Sequence, residues 1–191
     1  MPASVNLPTA IETQRLVVRA YRPEDAAAYH AMALDNKGHL RQYEAQNPVH
    51  AVFSAADAEK LLHDFAQAWQ TRKAFFFGAF SKDTGRFTAQ IYIGLVNPLL
   101  PEYELGYFAE HTQQGNGFVT EAAQATVGWA FTQLQAHRMS LRCDDTNHRS
   151  FHVAERCGFR REGHLRENQR KPDGSVTGTY LYGLLGHEYA G

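Results

Sequence analysis

YELGYFAEHTQQGNGFVTE, residues 103–121, reads as a short buried strand, a glycine-bearing turn and the opening of a long amphipathic helix. A chain that passes from a strand through such a turn into a helix leaves several backbone N–H groups pointing outward. They sit at the positive end of the helix dipole and suit a phosphate or pyrophosphate. Two familiar phosphate loops do not fit. The P-loop closes its glycines with Lys-Ser/Thr, and the dinucleotide fingerprint spaces three glycines early in a βαβ unit. Neither pattern is present here. A Gly-x-Gly turn before a helix is also a common structural device, so the turn alone names no ligand.

The rest of the composition narrows the field. With 191 residues, 43% of them hydrophobic, the chain has material for one domain over 1–191, with residues 1–10 as a loose N-terminal arm. Nineteen basic and 20 acidic residues leave a formal charge of -1, which argues against nucleic acid or an anionic membrane as partner. Cys143 and Cys157 have no CxxC spacing, so they read as buried packing residues in a reducing cytoplasm, not as a disulfide framework or zinc knuckle. The opening MPASVNLPTA lacks a basic and an apolar signal region, and no apolar run approaches the ~20 residues that span a bilayer. A soluble, cytoplasmic protein is expected.

Taken in order, Ile11 to Tyr21 is β-rich and ends at Arg22-Pro23, where Pro, Glu24 and Asp25 favour the first turn of a helix. Residues 36–53 hold Gly38, Asn47 and Pro48 without a sustained period and read as an irregular connection. Ser54 and Asp57 cap a helix in which Ala58, Leu61, Leu62, Phe65 and Trp69 recur at helical spacing, to about Thr71. AFFFGAF and FTAQIYIGLV flank a turn at Lys82–Gly85 as a hairpin, and YELGYFA completes a meander of up to four strands. After the turn, Val119, Ala122, Ala123, Val127, Ala130, Phe131 and Leu134 mark one helix face. RMSLRCD is then a strand parallel to YELGYFA through a right-handed crossover. A second short helix runs from an Asn147 cap to Gly158, and two β runs, Phe159 to Leu165 and Thr177 to Leu185, enclose a turn at Pro172-Asp173-Gly174.

The turn also fits Gln/Arg-x-x-Gly-x-Gly/Ala, and here the chain resembles the GNAT acetyltransferase superfamily. Gln114 and Gly117 fill the first two positions, while Val119 stands where Gly or Ala is usual. QQGNGFVTEA is similar to the RimJ/RimL-like branch, as are ETQRLVVRAYRPEDAAAYH near the start and NHRSFHVAERCGFRREGH about thirty residues after the turn. Independent motifs in the right order are far rarer than any one of them. The resemblance runs from Thr13 to Leu185 and implies a mixed α/β fold: an antiparallel N-terminal meander, a splayed central parallel strand pair, a C-terminal antiparallel hairpin and about four helices. It implies acetyl-CoA as cosubstrate. The pyrophosphate would lie on Gln114, Gly115, Asn116, Gly117, Phe118 and Val119. The pantetheine arm would pair like a strand with Gly106, Tyr107 and Phe108, provided the parallel strands part beyond them.

Acetyl transfer to an amine needs a base for the ammonium proton, polarisation of the thioester carbonyl and a proton for the departing thiolate. The resemblance points to Glu104 as base. Alternation puts Glu102 on the same strand face, and Glu162 and Glu167 follow the Gly-Phe pair, so these stay open as alternatives. Many relatives carry a tyrosine acid where this chain has Ala154; Ser150 takes that place in the RimL-like pattern, with Asn147 hydrogen-bonding the CoA arm. The residues themselves also allow Asn147 as a plain helix cap and Ser150 as a surface hydroxyl. His148 and His152 share a helix face, but no HExxH and no third ligand accompany them, so no metal is expected. Neither cysteine has a motif that activates a thiolate, which favours direct attack over an acyl-enzyme. A non-catalytic CoA-binding or sensory relative is the alternative, and a nucleotide-binding module is disfavoured by the missing P-loop Lys. The acceptor, a protein N-terminus or a small amine, would sit between residues 36–53 and the C-terminal hairpin. A homodimer stays open.

Overall fold

The computed structural model describes residues 7–171 and 173–190. In chain order the elements are β1 (Ala10–Glu12), β2 (Leu16–Ala20), α1 (Ala26–Leu40), α2 (Ala55–Gln70), β3 (Ala74–Ser81), β4 (Phe87–Asn97), β5 (Glu102–Ala109), α3 (Phe118–Gln133), β6 (Arg138–Asp144), α4 (His148–Arg156), β7 (Arg160–Arg170) and β8 (Val176–Leu185). One eight-stranded sheet has the order β1-β2-β3-β4-β5-β6-β8-β7. Within it, β5 and β6 form the parallel pair, and the other neighbours run antiparallel. The mixed α/β class, meander, central pair and terminal hairpin are those expected.

The parallel pair is short. Glu102, Tyr103 and Glu104 face Arg138, Met139 and Ser140, and from Leu105 on β5 has no partner on β6. β5 stays with β4 as far as Ala109, while β6 stays with β8 as far as Asp144. The sheet therefore opens in a V beyond Glu104, between two halves each held by its own ladder.

Strand alternation loads the two faces with separate cores. On the α3 face lie Leu16, Val18, Phe75, Phe77, Ile91, Ile93, Leu105, Met139 and Leu141, all essentially buried. On the other face, Phe76 stacks on Phe65 of α2 at 3.7 Å, within a cluster that includes Tyr29, Leu62 and Phe108. The α2 start is a capping box, with Ser54 Oγ accepting from the Asp57 amide and the Asp57 carboxylate accepting from the Ser54 amide. Phe65 and Trp69 are packing residues, Trp69 meeting Phe75 and Phe77 edge-on and Trp129 at a tilt.

Four expectations need correction. The single strand read over Ile11–Tyr21 is a hairpin of β1 and β2, because Thr13 hydroxyl and amide turn the chain onto Leu16. The loose arm does not extend to residue 10, since Leu7 is buried and the Pro8 carbonyl accepts from Trp129 Nε1 at 3.0 Å, while residues 1–6 lie outside the described part. Helix α1 runs on to Leu40 through Gly38, with Asn36 buried in it and bonded to the Met32 carbonyl. The strand read to Leu165 continues to Arg170 across register shifts at Arg161/Gly163 and Leu165/Gln169, where Glu167 takes φ 51°. Of the turn at 172–174, Pro172 lies outside the described residues.

Candidate active site

The turn between β5 and α3 is shaped by its glycines. Gly115 has φ 82° and Gly117 φ 78°, the left-handed region that favours glycine, and Gly117 is the residue from which α3 starts. The first amides of α3 have no acceptor within the helix, and the Glu121 amide bonds back to the Gly117 carbonyl at 3.1 Å. Free donors, the dipole and the absence of a Cβ at Gly117 together suit an anion.

A clamp holds this turn. The Glu121 carboxylate accepts from Thr13 Oγ1 at 2.6 Å, the Arg15 amide at 2.8 Å and Arg15 Nε at 2.6 Å. Arg15 Nη1 donates to the Asn116 carbonyl at 3.0 Å, and its guanidinium lies over the Phe118 ring. Burial would raise the Glu121 pKa, but the bonds from Thr13 and Arg15 outweigh it and hold the carboxyl below its usual value. The Thr-x-Arg-Leu and Thr-Glu-Ala motifs, over a hundred positions apart, are thus two halves of one device.

A cleft of about 560 Å³ runs from the turn into the V. Tyr107 and Phe108 line it from β5, then Gln114, Gly115, Gly117, Phe118 and Val119 from the turn, and Asn147 and Ser150 from α4. Three other candidates stand outside its lining. Gly106 lies beneath the Tyr92 ring, Asn116 turns its amide back onto the Gln113 carbonyl, and Glu104 is half-buried on the α2 face of the sheet beside Tyr92. Asn147 caps α4, its Oδ1 accepting from the Ser150 amide at 3.2 Å. Ser150 reaches the Tyr107 hydroxyl at 3.4 Å, and that hydroxyl donates to the Ser150 carbonyl at 2.7 Å. Burial raises the Tyr107 phenol well above its ordinary range, so it stays protonated.

Two of the three alternative carboxylates are engaged elsewhere. Glu102 and Glu162 share Arg138, at 3.2 Å and 2.7 Å, where β6 begins, and this pairing holds Glu162 below its usual pKa. Glu167 is exposed. His148 packs on Phe151, His152 meets Glu155, and among the described residues no three His, Cys, Asp or Glu side chains gather as a metal site. Burial pushes Cys143 up to about 11 and Cys157 up to about 12, so neither is a thiolate near neutral pH.

The sequence reading missed several residues that the fold brings to the cleft. Arg149 and Arg156 place cations beside the turn, Arg149 bonding Gln114 Oε1. His39 Nε2 meets the Ala109 carbonyl at the free end of β5, and Glu44 enters from the segment after α1. Helical spacing on α4 could have exposed Arg149 and Arg156 as neighbours of Asn147 and Val153. Nothing in the sequence marks His39 or Glu44.

A splayed sheet whose central strand feeds a glycine turn and a helix with free N-terminal amides defines a class of acyltransferase fold. Residues 15–160 match the model of the Acetyltransferase (GNAT) domain, and the chain belongs to that family. It is 26% identical to the Uncharacterized N-acetyltransferase p20 of Bacillus licheniformis over 94% of this chain and 97% of that one. In fold it is similar to the ribosomal-protein-S5-alanine acetyltransferase of Vibrio fischeri, with TM-score 0.84 and 20% identity over 96% of this chain and 100% of that one. It is also similar to Mycobacterium smegmatis RimJ in complex with CoA-disulfide, with TM-score 0.80 and 23% identity over 92% and 84% of the two chains. Among the described residues no helix is long and apolar enough to cross a membrane.

Proposed function

We propose that this protein transfers acetyl from acetyl-CoA to a primary amine by direct attack in a ternary complex, in the cytoplasm. The observation that carries the reading is the V itself: β5 leaves β6 after Glu104, and the cleft it opens ends at the α3 amides. The residues present fit the cosubstrate. Unpaired backbone beyond Glu104 offers a strand-like ligand partners, and the turn with Arg149 and Arg156 offers a pyrophosphate donors and positive charge.

The amine must shed its ammonium proton before its lone pair can reach the thioester carbon. We assign Glu104, on the acceptor face of β5, as a base acting through water. Ser150, aimed into the cleft, supplies a proton to the departing thiolate, and the Asn147 amide group left free by the cap bonds the CoA arm. The high thiol pKa values of Cys143 and Cys157 support attack without an acyl-enzyme. The acceptor is an N-terminal peptide amine or a small amine. Calorimetry with CoA, followed by thiol release from acetyl-CoA over a panel of peptides and polyamines, tests this. CoA binding with amine-dependent release is expected; binding without release for any amine would leave a CoA-binding relative.

A further inference from the structure

Beside the main cleft lies a second, smaller cavity of about 100 Å³, and its lining is strongly polar. Arg142, Cys143 and Asp144, consecutive on β6, line it from the sheet. Gln169 and Thr179 close it from the C-terminal hairpin. Glu44, Tyr43, Asn147 and Ser150 line both cavities, so these four mark the passage from the CoA cleft to the polar one. Among them Glu44 is the sole carboxylate.

We infer that Glu44 is the carboxylate that meets the acceptor's ammonium group and takes its proton, ahead of the water-mediated route through Glu104, and that the polar cavity receives the acceptor. The inference rests on the acetyltransferase reading and deepens it. Three observations carry it. Glu44 sits at the junction of the two cavities with Ser150, whereas Glu104 lines neither. Its backbone is fixed: the amide donates to the Leu40 carbonyl at 2.7 Å, and its carbonyl accepts from the Asn47 amide at 2.9 Å and meets His50 Nε2 at 3.0 Å. Among the described residues no salt bridge neutralises it, in contrast to Glu102 and Glu162 on Arg138. Burial supports the role, pushing the Glu44 carboxyl up to about 7 against a hydrogen bond from Asn47, so it can take and release a proton at working pH.

The charged neighbours leave that titration to Glu44. Tyr107 and Cys143 stay protonated, His39 is shifted by burial toward its neutral form, and Asp144 is held ionised by Thr146, Thr177 and Lys171. Arg142 on β6 and Arg149 and Arg156 on α4 are fixed cations. His50, on the Glu44 carbonyl, and His152 on α4 are the neighbouring histidines to control for.

The step balances as follows. R–NH3⁺ gives one proton to the Glu44 carboxylate, which passes it to solvent. The freed lone pair forms the N–C bond at the acetyl carbonyl, the C–S bond breaks with its electron pair going to sulfur, and the second N–H proton ends on the thiolate.

The test measures kcat/KM against pH from 5 to 9 with acetyl-CoA and an N-terminal-serine peptide, or spermidine if the peptide is not turned over. Wild type should rise to a plateau with an acidic limb near 7. Glu44→Gln should lose about 10²–10⁴-fold at neutral pH and lose that limb, with CoA affinity unchanged by calorimetry. Glu44→Asp should keep the limb at reduced rate, His50→Gln and His152→Gln should keep limb and rate, and Glu104→Gln should lose less than Glu44→Gln. A Glu44→Gln profile that superimposes on wild type, or one that is lowered with its limb intact, overturns this inference while the acetyltransferase reading stands. A wild-type protein that binds no CoA overturns both.

Discussion

At the scale of the residue, Glu44 stabilises the fold least where it is proposed to be most useful. Its folded-state pKa of about 7 lies above the ordinary carboxyl value of 4.5, so the folded chain binds more protons between these limits than the unfolded one. Stability tied to this group is therefore full below pH 4.5 and is lost as pH rises through 7. Glu44→Gln removes the ionisation, and at pH 8 the variant should be more stable than wild type by roughly 1–3 kcal/mol, a difference that fades toward pH 4.5. Thermal unfolding of both proteins across that range measures it; a difference independent of pH would mean that the carboxyl is not desolvated. Glu44 was illegible in the sequence for a physical reason. It lies in a segment with no period, and its environment is assembled from α1, β5, β6 and α4. Glu104 was visible through the family resemblance and Glu102 because alternation puts it on the same strand face, but alternation says nothing of Arg138, which pairs with Glu102.

At the scale of the element, the glycine turn before α3 was the most legible part of the molecule, because its rules are local. A left-handed φ needs glycine, and a helix start needs acceptors for its first amides. Gly117→Asp should keep the fold with a loss of about 1–2 kcal/mol for the φ of 78°. CoA affinity should fall more than tenfold, since a carboxylate then faces the pyrophosphate, and calorimetry at low and high salt should show the defect shrinking as salt screens it. What the turn motif could not reveal is that Glu121 anchors it to the turn between β1 and β2. Glu121 titrates in the opposite sense to Glu44. Its depressed pKa means that its stabilisation is present above the unfolded value and lost as pH falls through the folded one. Glu121→Gln should therefore lose about 1–3 kcal/mol at pH 7, the range for hydrogen bonds to a charged group, and less on going to acid. Glycine misled the same reasoning at Gly38, which sits inside α1 with no atom near its missing Cβ. There the helix is held by tertiary contacts, the Asn36 side chain reaching both the Met32 carbonyl and the His111 amide, and a propensity argument cannot see them.

At the scale of the whole molecule, the meander, the central parallel pair and the terminal hairpin were recoverable from the order of runs and the family resemblance, whereas the placing of β8 beside β6 and the depth of the V were not. The V is set by how soon β5 and β6 stop pairing, a register property of two strands over thirty residues apart in the chain. β1 to β5 form one ladder and β6 to β8 another, joined by three residue pairs and by α3, whose Trp129 packs on Phe75 and Phe77 of the first half. A ligand lying along the free stretch of β5 and against α4 would touch both halves, and binding to the folded state alone stabilises it by mass action. At a CoA concentration a hundred times its Kd the gain is about 2.7 kcal/mol, which for a chain of this size raises Tm by roughly 5–10 °C. Gly117→Asp should show little of this rise at the same CoA concentration. The location of the effect is the sharper test, because a pantetheine arm paired with β5 protects backbone amides that have no partner in the free protein. Hydrogen exchange with and without CoA should slow at residues 105–109 and 117–120 more than at β1 or in the α2 interior. Equal slowing throughout the chain, or none at 105–109, would mean that CoA does not lie along β5.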